Sequence, residues 1–99
     1  MEISNSGTNE VTVTGIIKTI DDSMTLRAEL QRLYDGGARA ITLRIPDSFA
    51  LPSAVIGYLM KLVNRDKVRL TLLAGDQRLC ELLDELQLSG VFGVSRMRS

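Results

Sequence analysis

Ser53 is the residue of this chain whose type and position most directly indicate chemistry. It follows Pro52 and begins a strongly apolar stretch, residues 53–63, that has the pattern of a largely buried helix. A hydroxyl at the start of a helix has two ordinary uses. It caps the helix by accepting a backbone N–H, or it is modified, since a phosphate is tolerated at the positive end of a helix. The residues alone leave both uses open, with capping the commoner one.

Few groups in the chain are suited to catalysis. Asp21, Asp22 and Asp47 could supply carboxylates for acid–base work, a metal or a small ligand, but adjacent acids in a first helical turn more often interact with the helix dipole. The chain has no histidine, and Cys80 is its single cysteine, so a hydrolase triad and a zinc site are not expected. We therefore expect a protein that is not an enzyme and that uses no cofactor or metal.

Composition limits the partners and the location. The 99 residues make one domain, 1–99, with 12 basic and 12 acidic side chains and 4% aromatics, so a nucleic-acid groove is not expected. No apolar run approaches the ~20 residues of a membrane span, and the polar first residues do not look like a signal peptide. With a single cysteine, these features predict a cytoplasmic protein. No pattern indicates an oligomeric state.

Hydrophobic periodicity predicts the elements that position Ser53. Alternating apolar residues indicate strands, and apolar residues three and four apart indicate helices. In chain order, the predicted elements are a hairpin of Met1–Ser4 and Glu10–Gly15, a helix that begins at Asp21–Ser23 and ends at Gly36, a strand Ala40–Ile45, a helix from Ser53 to Val63, a strand Val68–Ala74, a helix capped by Asp76 and closed by Gly90, a strand Val91–Val94 and a basic tail, 95–99.

This order, β-β-α-β-α-β-α-β, predicts an α/β fold. We expect a mixed, mainly parallel sheet of four to five strands, covered by about three helices and with an antiparallel hairpin at one edge. Ligands and partners of such sheets meet the loops at the carboxyl ends of the strands, and Ser53 follows one of those ends.

From Glu10 to Val94 the chain resembles a STAS domain, the fold of bacterial anti-sigma factor antagonists and of the cytoplasmic tails of sulfate transporters. The family begins its second helix with Asp-Ser-Ser-Gly-Leu-Gly, and residues 52–57 of this chain, PSAVIG, align with it without gaps. Ser53 falls on the serine that is phosphorylated in family members. Gly57 falls on the second glycine, where we expect the helix to pass close to another backbone. The segment LSGVFGV, 88–94, also resembles the family's ending.

Several positions depart from the family pattern. Pro52 replaces the acid before the serine, Ala54 the second serine and Val55 the first glycine. Arg44 replaces an acid near the end of the central strand, and Lys18 replaces the usual acid after Gly15. Three negative charges are thus absent or reversed, so contacts with a kinase partner would differ from those usual in the family.

The resemblance implies a regulatory interaction module. As an anti-sigma factor antagonist, it would bind a serine-kinase-type anti-sigma factor, be phosphorylated at Ser53 and be restored by a serine phosphatase, in control of transcription by partner switching. The partner-binding residues expected around Ser53 are Phe49, Leu51, Pro52, Ala54, Val55, Gly57 and Tyr58. For the apolar members of this set, filling of the core beneath the loop is the alternative.

Two other functions stay open. The lost acids favour a STAS scaffold subunit that holds a transporter, such as a lipid-transport ABC assembly, or a signalling complex together without phosphorylation. A small-ligand binder or enzyme that uses the three aspartates is more remote, because the chain has no histidine.

Overall fold

Five strands and three helices follow one another in the predicted order. The structure is a computed structural model that describes residues 1–97, and for Ser6 the backbone only. The elements are β1 (Glu2–Gly7), β2 (Glu10–Thr14), α1 (Ile20–Asp35), β3 (Ala40–Ile45), α2 (Ser53–Asn64), β4 (Arg69–Ala74), α3 (Gln77–Glu85) and β5 (Val94–Arg96).

The five strands form one mixed sheet in the order β1-β2-β3-β4-β5. β1 and β2 pair antiparallel as the predicted hairpin, and β2 to β5 pair parallel to one another. The α/β class is therefore confirmed. Because both kinds of pairing are present, the sheet is mixed, and the predicted description as mainly parallel is replaced by this one.

All three helices cover the same face of the sheet. From β2 to β5, each parallel strand lies next to the strand that precedes it in sequence, and the sheet grows toward one edge. Because crossovers between parallel strands are right-handed, growth toward one edge places every connecting helix on the same face. Burial agrees with this geometry. In β3 and β4, every second residue is buried and the alternate residues are not. The side chains that form this buried layer of the sheet are Val11, Val13, Ile41, Leu43, Ile45, Leu70, Leu72 and Ala74.

The start of α1 differs from the prediction. The helix begins at Ile20, and its N-cap is Thr19, whose Oγ1 accepts the N–H of Asp22 at 3.0 Å. The Asp22 carboxylate accepts the N–H groups of Thr19 and Lys18 at 3.3 and 3.2 Å. The two side chains form a reciprocal capping box, so Asp22 belongs to the first turn and does not begin the helix.

The end of the described chain also differs from the prediction. The last strand is Val94–Arg96, because residues 90–93 form a turn that lowers Phe92 into the core with no exposed surface. Gly93 has a φ of +56°, and a Cβ at this position would lie 2.7 Å from the Leu70 carbonyl oxygen. Only Gly meets both conditions. Part of the predicted basic tail is thus a strand, and its final residues, Arg98 and Ser99, lie outside the described residues.

Candidate functional site

Ser53 is the first residue of α2 and is exposed to solvent. The N-cap is Pro52, which has extended backbone angles and no side-chain hydrogen bond to the helix. The carbonyl of Pro52 accepts the N–H groups of Val55 and Ile56 at 3.0 and 3.1 Å. Ser53 therefore does not cap the helix, and within residues 1–97 its hydroxyl has no hydrogen-bond partner. The first turn of α2 also contains no acid that would offset the positive end of the helix dipole.

The loop before Ser53 is fixed by two side chains. The Ser48 hydroxyl is fully buried, donates to the carbonyl of Ala50 at 2.7 Å and accepts the N–H of Ile17 at 3.2 Å. The Asp47 carboxylate accepts the N–H of Gly15 at 2.8 Å. The bonds from Ile17 and Gly15 join the β3–α2 loop to the β2–α1 loop, so the start of α2 is held in a defined place. Ser48 was not singled out from the sequence, and this role was missed.

A close backbone approach occurs at Gly75 and not at the predicted position. A Cβ added to Gly75 would lie 2.3 Å from the carbonyl oxygen of Pro46, and the Gly75 N–H donates to Ile45 at 2.8 Å. Among residues 1–97, nothing lies within 4 Å of a Cβ added to Gly57, so the prediction for that residue was wrong. The glycine that the packing requires thus follows β4 and supports the beginning of the Ser53 loop.

The predicted partner-binding set divides between core and surface. Leu51, Val55 and Tyr58 are 7%, 3% and 6% exposed and belong to the core, because these α2 positions face the sheet and α1. Of the two alternatives, contact with a partner and filling of the core, their burial favours the core. Phe49, Ala54 and Gly57 are exposed and Pro52 is half-buried. The accessible part of the predicted set is therefore smaller than predicted.

Tyr58 links the two helices that flank the site. Its hydroxyl donates to Oε1 of Gln31 in α1 at 2.9 Å, and its ring lies beneath the Arg27 guanidinium at 5.3 Å and the Lys61 ammonium at 5.6 Å. Burial raises the pKa of the Tyr58 hydroxyl above its ordinary value. Tyr58 is therefore a packing residue, and it holds the cations of Arg27 and Lys61 near the boundary between α1 and α2.

A groove of about 180 Å³ lies beside Ser53, between the start of α1 and the head of α2. We call it the α1–α2 groove. Its lining residues are Lys18, Thr19, Ile20, Ser23, Met24, Arg27, Pro52 and Ala54. Sequence reasoning missed the groove. The available signal was Ile20 and Met24, which are one turn apart and off the Leu26–Leu30 stripe that predicts the buried face of α1.

The aspartates singled out as possible catalytic groups bind backbone amides or solvent. Asp47 and Asp22 accept the loop and cap N–H groups described above, and the bonds from Lys18 and Thr19 hold the pKa of Asp22 below its usual value. Asp21 is exposed in the first turn of α1. Across residues 1–97, no three His, Cys, Asp or Glu side chains come together as a metal site would require. Cys80 is half-buried in α3.

Comparisons with known proteins add no family assignment. The sequence matches no protein-family model, and a search of curated proteins finds no match. Among residues 1–97, no helix has the length and apolar character needed to cross a bilayer. A functional interpretation therefore depends on the geometry around Ser53 and on the sequence resemblance.

Proposed function

We propose that this protein is a non-enzymatic regulatory interaction module of the STAS type. In this proposal it acts in the cytoplasm as an anti-sigma factor antagonist, binds a serine-kinase-type anti-sigma factor, is phosphorylated at Ser53 and is restored by a serine phosphatase. One observation supports it above all. An exposed hydroxyl, without a hydrogen-bond partner among residues 1–97, begins a firmly held helix whose first turn contains no acid.

A phosphate on Ser53 is compatible with the folded domain. It would add a charge of about −1.5 to −2 at neutral pH, and a helix N-terminus has about half a positive charge and free N–H groups. No acid in the first turn of α2 would oppose it. Modification would therefore change the surface and leave the fold intact.

The same phosphate would act strongly on a bound partner. A hydrated dianion placed in a contact surface must lose water when the partner binds, and an unpaired buried charge costs several kcal/mol, which corresponds to roughly a hundredfold in affinity or more. Ser53 would thus switch binding between two states.

The second candidate is a scaffold subunit of a transporter or signalling complex that is not phosphorylated. Two basic residues at positions where the family has acids favour it. Lys18 lines the groove beside Ser53, and Arg44 forms an ion pair with Glu10 at 3.2 Å. These cations suit a partner whose surface differs from that of a standard anti-sigma kinase.

The test uses the full chain as bait in its native cell extract. Wild type, Ser53→Ala and Ser53→Asp are compared by quantitative capture, and endogenous protein is examined for phosphate at Ser53. Ser95 is exposed in β5, far from Ser53 in sequence, and provides the matched control Ser95→Asp. We expect a kinase-like partner that binds Ser53→Ala and loses at least about tenfold in affinity for Ser53→Asp.

Equal capture by Ser53→Ala and Ser53→Asp would exclude the switch. Recovery of a transporter ATPase with all four baits would support the scaffold in its place. Equal losses in Ser53→Asp and Ser95→Asp would show a general charge effect and would count against a specific role of Ser53.

A further inference from the structure

The α1–α2 groove contains the two most exposed large apolar side chains of residues 1–97. Ile20 is 78% exposed and Met24 is 63% exposed, and both line the groove. The surface continues along α1 past Ala28 to Gln31, where a second shallow pocket is lined by the same Met24 and Arg27. Single exposed apolar residues need no explanation, but two on one helical ridge beside a concavity indicate a contact surface.

The charge of the groove has one sign. Lys18 and Arg27 line it, and no carboxylate of the described residues does. Two acids lie at this end of α1, and neither is among the lining residues. Asp22 accepts the N–H groups of Lys18 and Thr19, and Asp21 is exposed. The groove therefore presents apolar side chains together with two cations that a partner must complement.

We infer that the α1–α2 groove binds an acidic amphipathic helix of a protein partner. The exposed ridge Ile20, Met24 and Ala28 has the four-residue spacing along which helices pack, and Pro52 and Ala54 form the opposite wall. A helix that places apolar residues three and four apart on this ridge would bring flanking carboxylates to Lys18 and Arg27.

The charges argue against two other occupants. A second copy of the chain would bring Lys18 and Arg27 close to their own equivalents, which is repulsive. An anionic membrane gains only about 1 kcal/mol per basic residue, so the two cations of the groove would contribute little to membrane binding. A separate acidic helix brings no further cations to Lys18 and Arg27, and its carboxylates can pair with both.

This inference rests on the proposed function only in treating the protein as an interaction module, and it does not require phosphorylation. Ser53 lies between Pro52 and Ala54, both of which line the groove. A phosphate on Ser53 would therefore stand beside an acidic helix in the groove and repel it.

The experiment is a selection of binders from a phage-displayed library of randomised helical peptides against the full chain. The enriched peptides are synthesised and titrated by fluorescence anisotropy against wild type, Met24→Ser and Arg27→Glu. The matched controls are Met60→Ser, since Met60 is a 39% exposed methionine of α2, and Arg65→Glu, at the exposed end of the same helix.

We expect enriched peptides that are rich in Asp and Glu and have apolar residues three or four apart. Met24→Ser and Arg27→Glu should each weaken binding about tenfold or more, and the controls less than about twofold. Peptides without acidic enrichment, no enriched peptide at all, or equal losses in the controls would overturn the inference. So would displacement of bound peptide by vesicles of anionic phospholipid.

The same peptides separate this inference from the Ser53 switch. Weaker binding to Ser53→Asp than to Ser53→Ala supports both. Equal binding to the two variants, with the Met24 and Arg27 effects retained, supports the groove and counts against the switch. Loss of the groove effects leaves the capture experiment on Ser53 as an independent test of the proposed function.

Discussion

Ser48 and Ser53 have the same side chain, but Ser48 is buried and Ser53 is exposed. The Ser48 hydroxyl is buried with two hydrogen bonds, so Ser48→Ala should lower the free energy of unfolding by about 1–3 kcal/mol, because the Ile17 N–H loses its acceptor. Ser53→Ala should change it by less than about 0.5 kcal/mol, because the exposed hydroxyl has no hydrogen-bond partner within residues 1–97. Urea unfolding followed by circular dichroism measures both. Equal effects would contradict the assignment of Ser48 as the residue that holds the loop.

Two glycines provide a second matched pair at the residue scale. Gly75→Ala should destabilise the protein by roughly 1–3 kcal/mol, because its Cβ would collide with the Pro46 backbone. Gly57→Ala should stabilise it by about 0.5–1 kcal/mol, because the position is helical and nothing lies near the added methyl group. Thermal unfolding of the two variants is sufficient, and a loss of stability in Gly57→Ala would show that α2 does approach another backbone there.

At the scale of elements, the start of α3 predicts an acid-dependent stability. Asp76 caps the helix, and the side chain and backbone N–H of Arg78 lower the pKa of Asp76 from 3.8 to about 2. A depressed pKa in the folded state means that this contribution to stability is fully present above about pH 4 and is lost as the pH falls through about 2. Asp76 is half-buried but its partner Arg78 is exposed, so salt screens part of the effect.

The measurement is the free energy of unfolding between pH 5 and pH 2 for wild type and for Asp76→Asn, which keeps a capping oxygen but does not titrate. We expect a smaller fall in stability for Asp76→Asn across this range. An identical pH dependence in the two proteins would mean that the carboxylate charge at the head of α3 does not stabilise the fold.

The sequence predicts elements that have a regular hydrophobic pattern better than it predicts their ends. β3 was predicted as Ala40–Ile45, and the structure has the same residues, because strict alternation fixes which side chains face the core. The Asp76 cap of α3 is likewise confirmed. β5 was misplaced, since the buried Phe92 lies in a turn and its apolar character resembles that of a strand.

The candidate site was predictable only in part. The place of Ser53 at the head of α2 follows from local pattern, but the burial of Leu51, Val55 and Tyr58 depends on how α2 packs against α1 and the sheet. The groove joins two loops and two helices that are far apart in the chain. No local periodicity encodes such a surface.

At the scale of the whole molecule, helices on only one face of the sheet make neighbouring residues of β4 differ in burial and in their contribution to stability. Leu72 is fully buried beneath the helices, whereas Thr71 is half-buried on the opposite face, opposite Thr42 of β3. Leu72→Ala should cost about 2–5 kcal/mol, a large part of the roughly 5–15 kcal/mol that stabilises a domain of this size. Thr71→Ala should cost no more than about 1 kcal/mol, mainly through lost β propensity.

Urea unfolding of the two single variants at equal, low protein concentration checks the difference. A loss at Thr71 as large as that at Leu72 would mean that the second face is also packed, and the arrangement of three helices on one face would be wrong.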